Sequence, residues 1–106
     1  MAHRVASRAE ADLDDIWLHV ARESGSMDVA SRLIDSITDR FVFLANFPNA
    51  GRSRDQDFGI GRRSFPVDEC IIVYSVEGTN VFILRVIHGR RDFHIFFWGL
   101  GRKSRD

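Results

Sequence analysis

The spacing of apolar residues changes partway along the chain. From Ala9, apolar side chains recur at Leu13, Ile16, Trp17, Val20 and Ala21, steps of three and four that draw one stripe along a helix over about 8–23. Ser7 and Glu10 stand at capping-box spacing at its start. Glu10, Asp12, Asp14 and Asp15 put negative charge in its first turns, where it complements the helix dipole. Ser24-Gly25-Ser26 stops it. A second stripe, Ala30, Leu33, Ile34, Ile37, Phe41 and Leu44, predicts a helix over about 27–46, capped by Ser26 and ended by Pro48 and Gly51. The joint between them is short, so the two form an antiparallel hairpin. Neither stripe is wide enough to be buried by the other helix alone, so a sheet is expected beneath.

Residues 52–61 are rich in Arg, Ser, Asp, Gln and Gly and read as a loop. Three strand-like runs follow, Arg62 to Val67, Glu69 to Val76 and Val81 to His88, the last two joined by Glu77-Gly78-Thr79-Asn80. Cys70 to Tyr74 and Val81 to Leu84 are apolar on both faces, which marks strands that are central or covered on both sides. The stretch Ala2 to Ala6 fits a short edge strand. The order β-α-α-β-β-β, helices early, predicts an α+β fold. A short N-terminal strand and an antiparallel helix hairpin pack on a twisted antiparallel sheet of three to four strands, in a single domain over 1–106.

Composition narrows the function. Fifteen basic residues balance fifteen acidic ones, which removes the simplest case for nucleic-acid binding. The balance is uneven along the chain: residues 1–51 carry five basic and eight acidic side chains, residues 52–106 ten and seven. Every basic residue but Lys103 is Arg, whose planar fork suits carboxylates and phosphates. The second half is therefore the half to search for a site. The single cysteine, Cys70, has no internal partner, and the start of the chain lacks the apolar stretch of a signal peptide. No run approaches the ~18 apolar residues of a membrane span, so a cytoplasmic protein without a membrane partner is expected. His3, His19, Cys70, His88 and His94 lack metal-ligand spacing. Gly59-Ile60-Gly61 lacks the helix and Lys of a phosphate loop, and no Ser sits on a nucleophile elbow. No cofactor is expected.

Three stretches carry a resemblance to a known family: Ala9 to Trp17; Phe47-Pro48-Asn49-Ala50-Gly51-Arg52; and Ile83-Leu84-Arg85-Val86-Ile87-His88-Gly89-Arg90-Arg91-Asp92. In this order, with an Ile72-Val73-Tyr74 strand between the second and the third, they resemble the RelE/ParE toxins of bacterial type II toxin–antitoxin systems, on the ParE side. The resemblance implies two helices against a twisted antiparallel sheet. It implies a cognate ParD-like antitoxin, encoded alongside, that forms a hetero-oligomer with the toxin and wraps it with a flexible tail. Operator DNA would be reached only through that antitoxin. RelE-like members cut messenger RNA in the ribosome; ParE-like members poison DNA gyrase, the target the resemblance implies here.

An RNase needs a general base, a general acid and cations near the phosphate. RelE-like members tend to carry an Arg on the central strand and a Tyr near the C-terminus. Here the matching strand, Cys70 to Tyr74, has Ile where that Arg would be, and His94-Ile95-Phe96-Phe97-Trp98 contains no Tyr. No catalytic residue is assigned, and the messenger-RNA endonuclease is the alternative. Candidates for contact with a target or antitoxin are Leu18, Phe43, Arg62, Arg63, Arg85, His88, Arg90, Arg91, Phe97 and Trp98. Arg62, Arg63, Arg85, Arg90 and Arg91 could hold phosphates and His88 could serve as a base, but several of these have a plainer reading. His88, beside Gly89 at a strand end, is more often a hydrogen-bonded group that holds a turn. Arg90-Arg91-Asp92 forms either an internal ion-pair network or a ligand site. Arg85 alternates with Ile83 and Ile87, and on a covered face its guanidinium needs Glu69 or an acidic helix residue as partner. Leu18 and Phe43 lie off their helix stripes, and Phe96-Phe97-Trp98 either folds back as a further strand or joins an apolar patch that a partner covers. An antitoxin tail would then add a strand to an open sheet edge and lay a helix in a groove.

Overall fold

The computed structural model describes residues 2–89. The chain runs β1 (His3–Val5), α1 (Ser7–Ser24), α2 (Met27–Asn46), a 3-10 turn (Pro48–Ala50), β2 (Arg52–Ser53), β3 (Arg62–Val67), β4 (Cys70–Glu77) and β5 (Asn80–His88). The strands form one five-stranded sheet in the order β1-β5-β4-β3-β2. The α+β reading holds with two differences. The sheet has five strands rather than three to four, because part of the expected 52–61 loop is β2, which pairs with Arg63 and Ser64. It is mixed rather than purely antiparallel, because β1 joins β5 in parallel. A strand that leads directly into helices crossing the sheet returns alongside β5 in the same sense, and three residues offered no period from which to read that direction.

The helix stripes face the sheet. Ala9 and Ile16 of α1, with Ala30, Ile37, Phe41, Leu44 and Ala45 of α2, are buried. Leu13, Val20, Leu33 and Ile34 pack against them. Ser26 caps α2 as expected, its hydroxyl accepting the Val29 amide at 3.2 Å. Gly25 closes α1 at φ 70°, donating its amide to the Ala21 carbonyl. The capping box does not form. The cap of α1 is Ala6, without a side-chain hydrogen bond, and Ser7 is already helical. The reason is the preceding strand: Ala6 donates its amide to the Ile83 carbonyl at 2.9 Å, which holds Ala6 extended and starts the helix one residue sooner than a Ser7 cap would.

Strand β4 lies between β5 and β3, which accounts for its continuous apolar run. Cys70, Ile72 and Tyr74 belong to the core under the helices. Val73 forms a second cluster with Phe58 and Ile87, against which Ile71 packs. Since strand neighbours alternate, this second cluster lies on the other face, and Phe58 from the 54–61 turn covers it. The register of β4 on β5 shifts between Val73 and Tyr74: Tyr74 pairs with Ile83 and Val73 with Arg85, so Leu84 is an extra residue. The bulge overturns one expectation. Ile83 and Ile87 do not share a face. Ile83 and Val86 join the helix-side core, and Ile87 joins the other cluster.

Candidate functional site

The Pro48–Gly51 joint is held by a clasp. Tyr74, fully buried on β4, donates its hydroxyl to the Pro48 carbonyl at 2.7 Å and accepts the Gly51 amide at 2.9 Å. Arg63 donates to the Gly51 carbonyl at 2.7 Å. Burial pushes the Tyr74 hydroxyl above its ordinary pKa, against the Gly51 hydrogen bond and the nearby Arg63 charge, which pull it down. Beside the clasp opens a mostly apolar cleft lined by Phe43, Asn46, Phe47, Pro48, Asn49 and Ala50. Phe43 sits between Phe47 and Phe65, with ring centroids 5.1 and 5.6 Å away, and the Arg40 guanidinium lies 5.8 Å above its ring. Phe43 is thus half-buried against the core, and of the two phenylalanines that line the cleft it is Phe47, 59% exposed, that reaches solvent.

The other candidate arginines turn toward protein acceptors. Arg62 donates to the Phe58 carbonyl at 3.0 Å. Arg85 grips Asp12 of α1 in a two-pronged pair, Nε at 2.8 Å and Nη2 at 3.1 Å, and the same carboxylate accepts the Val86 amide at 2.9 Å. Its partner is therefore an acidic helix residue, one of the two kinds that its position demanded. Arg62, Arg63 and Arg85 reach three different acceptors and do not converge on a common point.

His88 is mostly shielded, with its ring edge-on to that of His19 on α1 at 5.2 Å and Nε2 4.0 Å from the Glu69 carboxylate. Gly89, next along, donates its amide to the Glu69 carbonyl at 2.8 Å and takes φ 77°, so this strand end is a held turn. Leu18 is 44% exposed on α1. Arg90, Arg91, Phe97 and Trp98 lie outside the described residues, as does the rest of the C-terminal aromatic stretch. Cys70 is buried; burial, with the Asp68 and Glu69 charges adding to it, pushes its thiol up to about 12. Among the described residues, no group of three His, Cys, Asp or Glu side chains is placed to hold a metal, and no helix is long and apolar enough to cross a membrane.

Reading the residues alone missed Asp12, Phe47 and Tyr74. Asp12 looked like one of four acids in the first turns of α1, and only the fold singles it out. Tyr74 had a legible signal: a phenol within an apolar strand needs a buried partner for its hydroxyl.

Residues 4–93 match the family model described as ParE toxin of type II toxin-antitoxin system, parDE. Toxin ParE3 of Caulobacter vibrioides is 37% identical over 79 residues, 74% of this chain and 77% of its own length. Toxin ParE1 of the same organism is 30% identical over 86 residues, 81% of this chain and 86% of its own. The solved structure titled "Chromosomal ParDE TA system from P. aeruginosa" superposes with a TM-score of 0.73 over 85% of this chain and 97% of that one, at 24% identity, and shares the fold.

Proposed function

The chain belongs to the ParE toxin family of type II toxin–antitoxin systems, and on that footing we propose that it is a cytoplasmic toxin that inhibits DNA gyrase by gripping it, silenced by a cognate ParD-like antitoxin. The observation that carries the choice of binding over catalysis is the dispersal of the cations. Cleaving RNA requires a base, an acid and positive charge converging on one phosphate. Arg62, Arg63 and Arg85 donate instead to Phe58, Gly51 and Asp12, and His88 packs on His19. The described surface offers exposed apolar side chains, Leu18, Met27, Val29, Val42, Phe47 and Ile60, and an apolar cleft at Phe43 and Phe47, material that a protein partner can cover.

The test adds purified protein to gyrase with relaxed DNA in one tube and to translating ribosomes in another. Loss of supercoiling with intact message supports the proposal. Cleaved message with unaffected gyrase overturns it in favour of the endonuclease. Co-expression with the product of the neighbouring short reading frame should yield a stable complex and abolish the gyrase effect.

A further inference from the structure

A strand edge with unpaired amides and carbonyls is a template for another chain. Among the described residues, the edge of β5 is covered by a strand only across Val81–Ile83, by β1, where Val81 donates to the Ala2 carbonyl and the Ile83 carbonyl accepts the Ala6 amide. Past β1 the next amide to emerge on that side is that of Val86, and Asp12 Oδ2 takes it at 2.9 Å, the same carboxylate also accepting from Arg85. A helix side chain thus continues the ladder where the strand stops.

The opposite edge ends differently. Strand β2 covers only Arg63 and Ser64 of β3. The amide and carbonyl of Arg62 point outward on that side, bonded to the Gly59 carbonyl and the Arg54 amide. The β3–β4 register is unbroken from Arg62 to Val67, so alternation places Ser64 and Pro66 outward as well. Pro66, exposed at the end of β3 that no other described strand covers, has no amide to give. The two outermost strands, β1 and β2, span three and two residues.

We propose that Asp12 and Pro66 are edge guards that keep a second copy of this chain from adding its strand to the sheet, one by occupying the amide that would recruit it and the other by lacking one. The guards act on association, not on the packing of the core.

Sedimentation velocity over a wide concentration range decides the matter, on the wild-type chain, Asp12→Ala, Pro66→Thr, the double variant, Asp12→Asn and Arg85→Met. Opening an edge restores one or two intermolecular backbone hydrogen bonds, so Asp12→Ala and Pro66→Thr should each raise the self-association constant by about tenfold and the double variant by more. Asp12→Asn keeps an acceptor for Val86, and Arg85→Met removes the ion pair but not the acceptor; both should sediment as wild type. Faster amide exchange at Val86 in Asp12→Ala should accompany the change. Self-association of Arg85→Met equal to that of Asp12→Ala would trace the effect to lost stability and overturn the proposal. If Asp12→Ala does not fold, Pro66→Thr decides alone, since its site is exposed, and unchanged sedimentation there overturns the proposal too.

Discussion

The ring of Tyr74 occupies the space in which Gly51 would carry a side chain. A Cβ on Gly51 would lie 2.7 Å from Tyr74 Cε1 and 2.8 Å from the Ser64 carbonyl oxygen. At φ −79° the backbone suits any residue, so glycine is required here for room. Gly51→Ala should therefore destabilise the protein by about 1–3 kcal/mol, the range of core overpacking. Urea unfolding with an unchanged slope measures it. A midpoint equal to wild type would mean that the joint shifts freely and that Tyr74 does not clamp it.

The hydroxyl of Tyr74 is the other half of the clasp. Tyr74→Phe leaves the Gly51 amide and the Pro48 carbonyl without their partner, which should cost about 1–3 kcal/mol. Tyr74→Phe and Gly51→Ala share a contact, so the double variant should lose less than the sum of the two singles.

Cys70 makes an alkaline prediction. Its thiol is raised from the ordinary 9.0 to about 12 in the folded protein. The folded state therefore holds this proton more tightly. The contribution to stability is full below the unfolded value and is lost as pH climbs from about 9 toward 12. Tyr74, also raised, adds loss in the same direction above its ordinary value of 10.0. Cys70→Ala should flatten the fall that begins near pH 9. Disulfide-exchange reagents at neutral pH should label Cys70 only at the rate of unfolding; rapid labelling of the native protein would contradict its burial.

Much of this fold was legible from periodicity. Both helix stripes became the core face, and β3 runs over the expected Arg62 to Val67, because long amphipathic segments carry their own phase. What could not be read was set by distant partners. The Leu84 bulge reverses the alternation that had placed Ile83 and Ile87 together, and no local residue announces it. The direction of β1 depends on β5, far along the chain. Within the candidate site, the need of Arg85 for a carboxylate was legible, but the choice of Asp12 among its acidic neighbours was not, since it follows from where α1 crosses the strand end.

The β3–β4 connection is a two-residue turn in which Asp68 takes φ 53°. Aspartate and asparagine tolerate this left-handed conformation better than residues branched at Cβ. Asp68→Val should cost about 1–2 kcal/mol, whereas Asp68→Asn should leave the thermal midpoint nearly unchanged. Equal midpoints for both variants would show that the turn relaxes out of this conformation.

His88 separates the two toxin mechanisms by its behaviour on mutation. If it is a catalytic base, His88→Ala should lose about a hundredfold or more in rate with little effect on folding. As a group packed on His19 beside the Gly89 turn, it should instead lower the thermal midpoint while gyrase inhibition per folded molecule stays within about threefold, as expected for a residue outside the binding anchors.

The indole of Trp17 reaches across the hairpin to Ser31, its N–H donating to the hydroxyl at 3.1 Å. That bond spans the two helices on which the exposed apolar side chains Leu18, Val42 and Phe47 depend for their placement. The chain has one other tryptophan, Trp98, and replacing it by Phe would leave a lone emitter at the helix crossing. The protein would then carry its own optical gauge: whatever pries α1 from α2, heat or a wrapping partner, would alter the fluorescence of Trp17 without any attached dye.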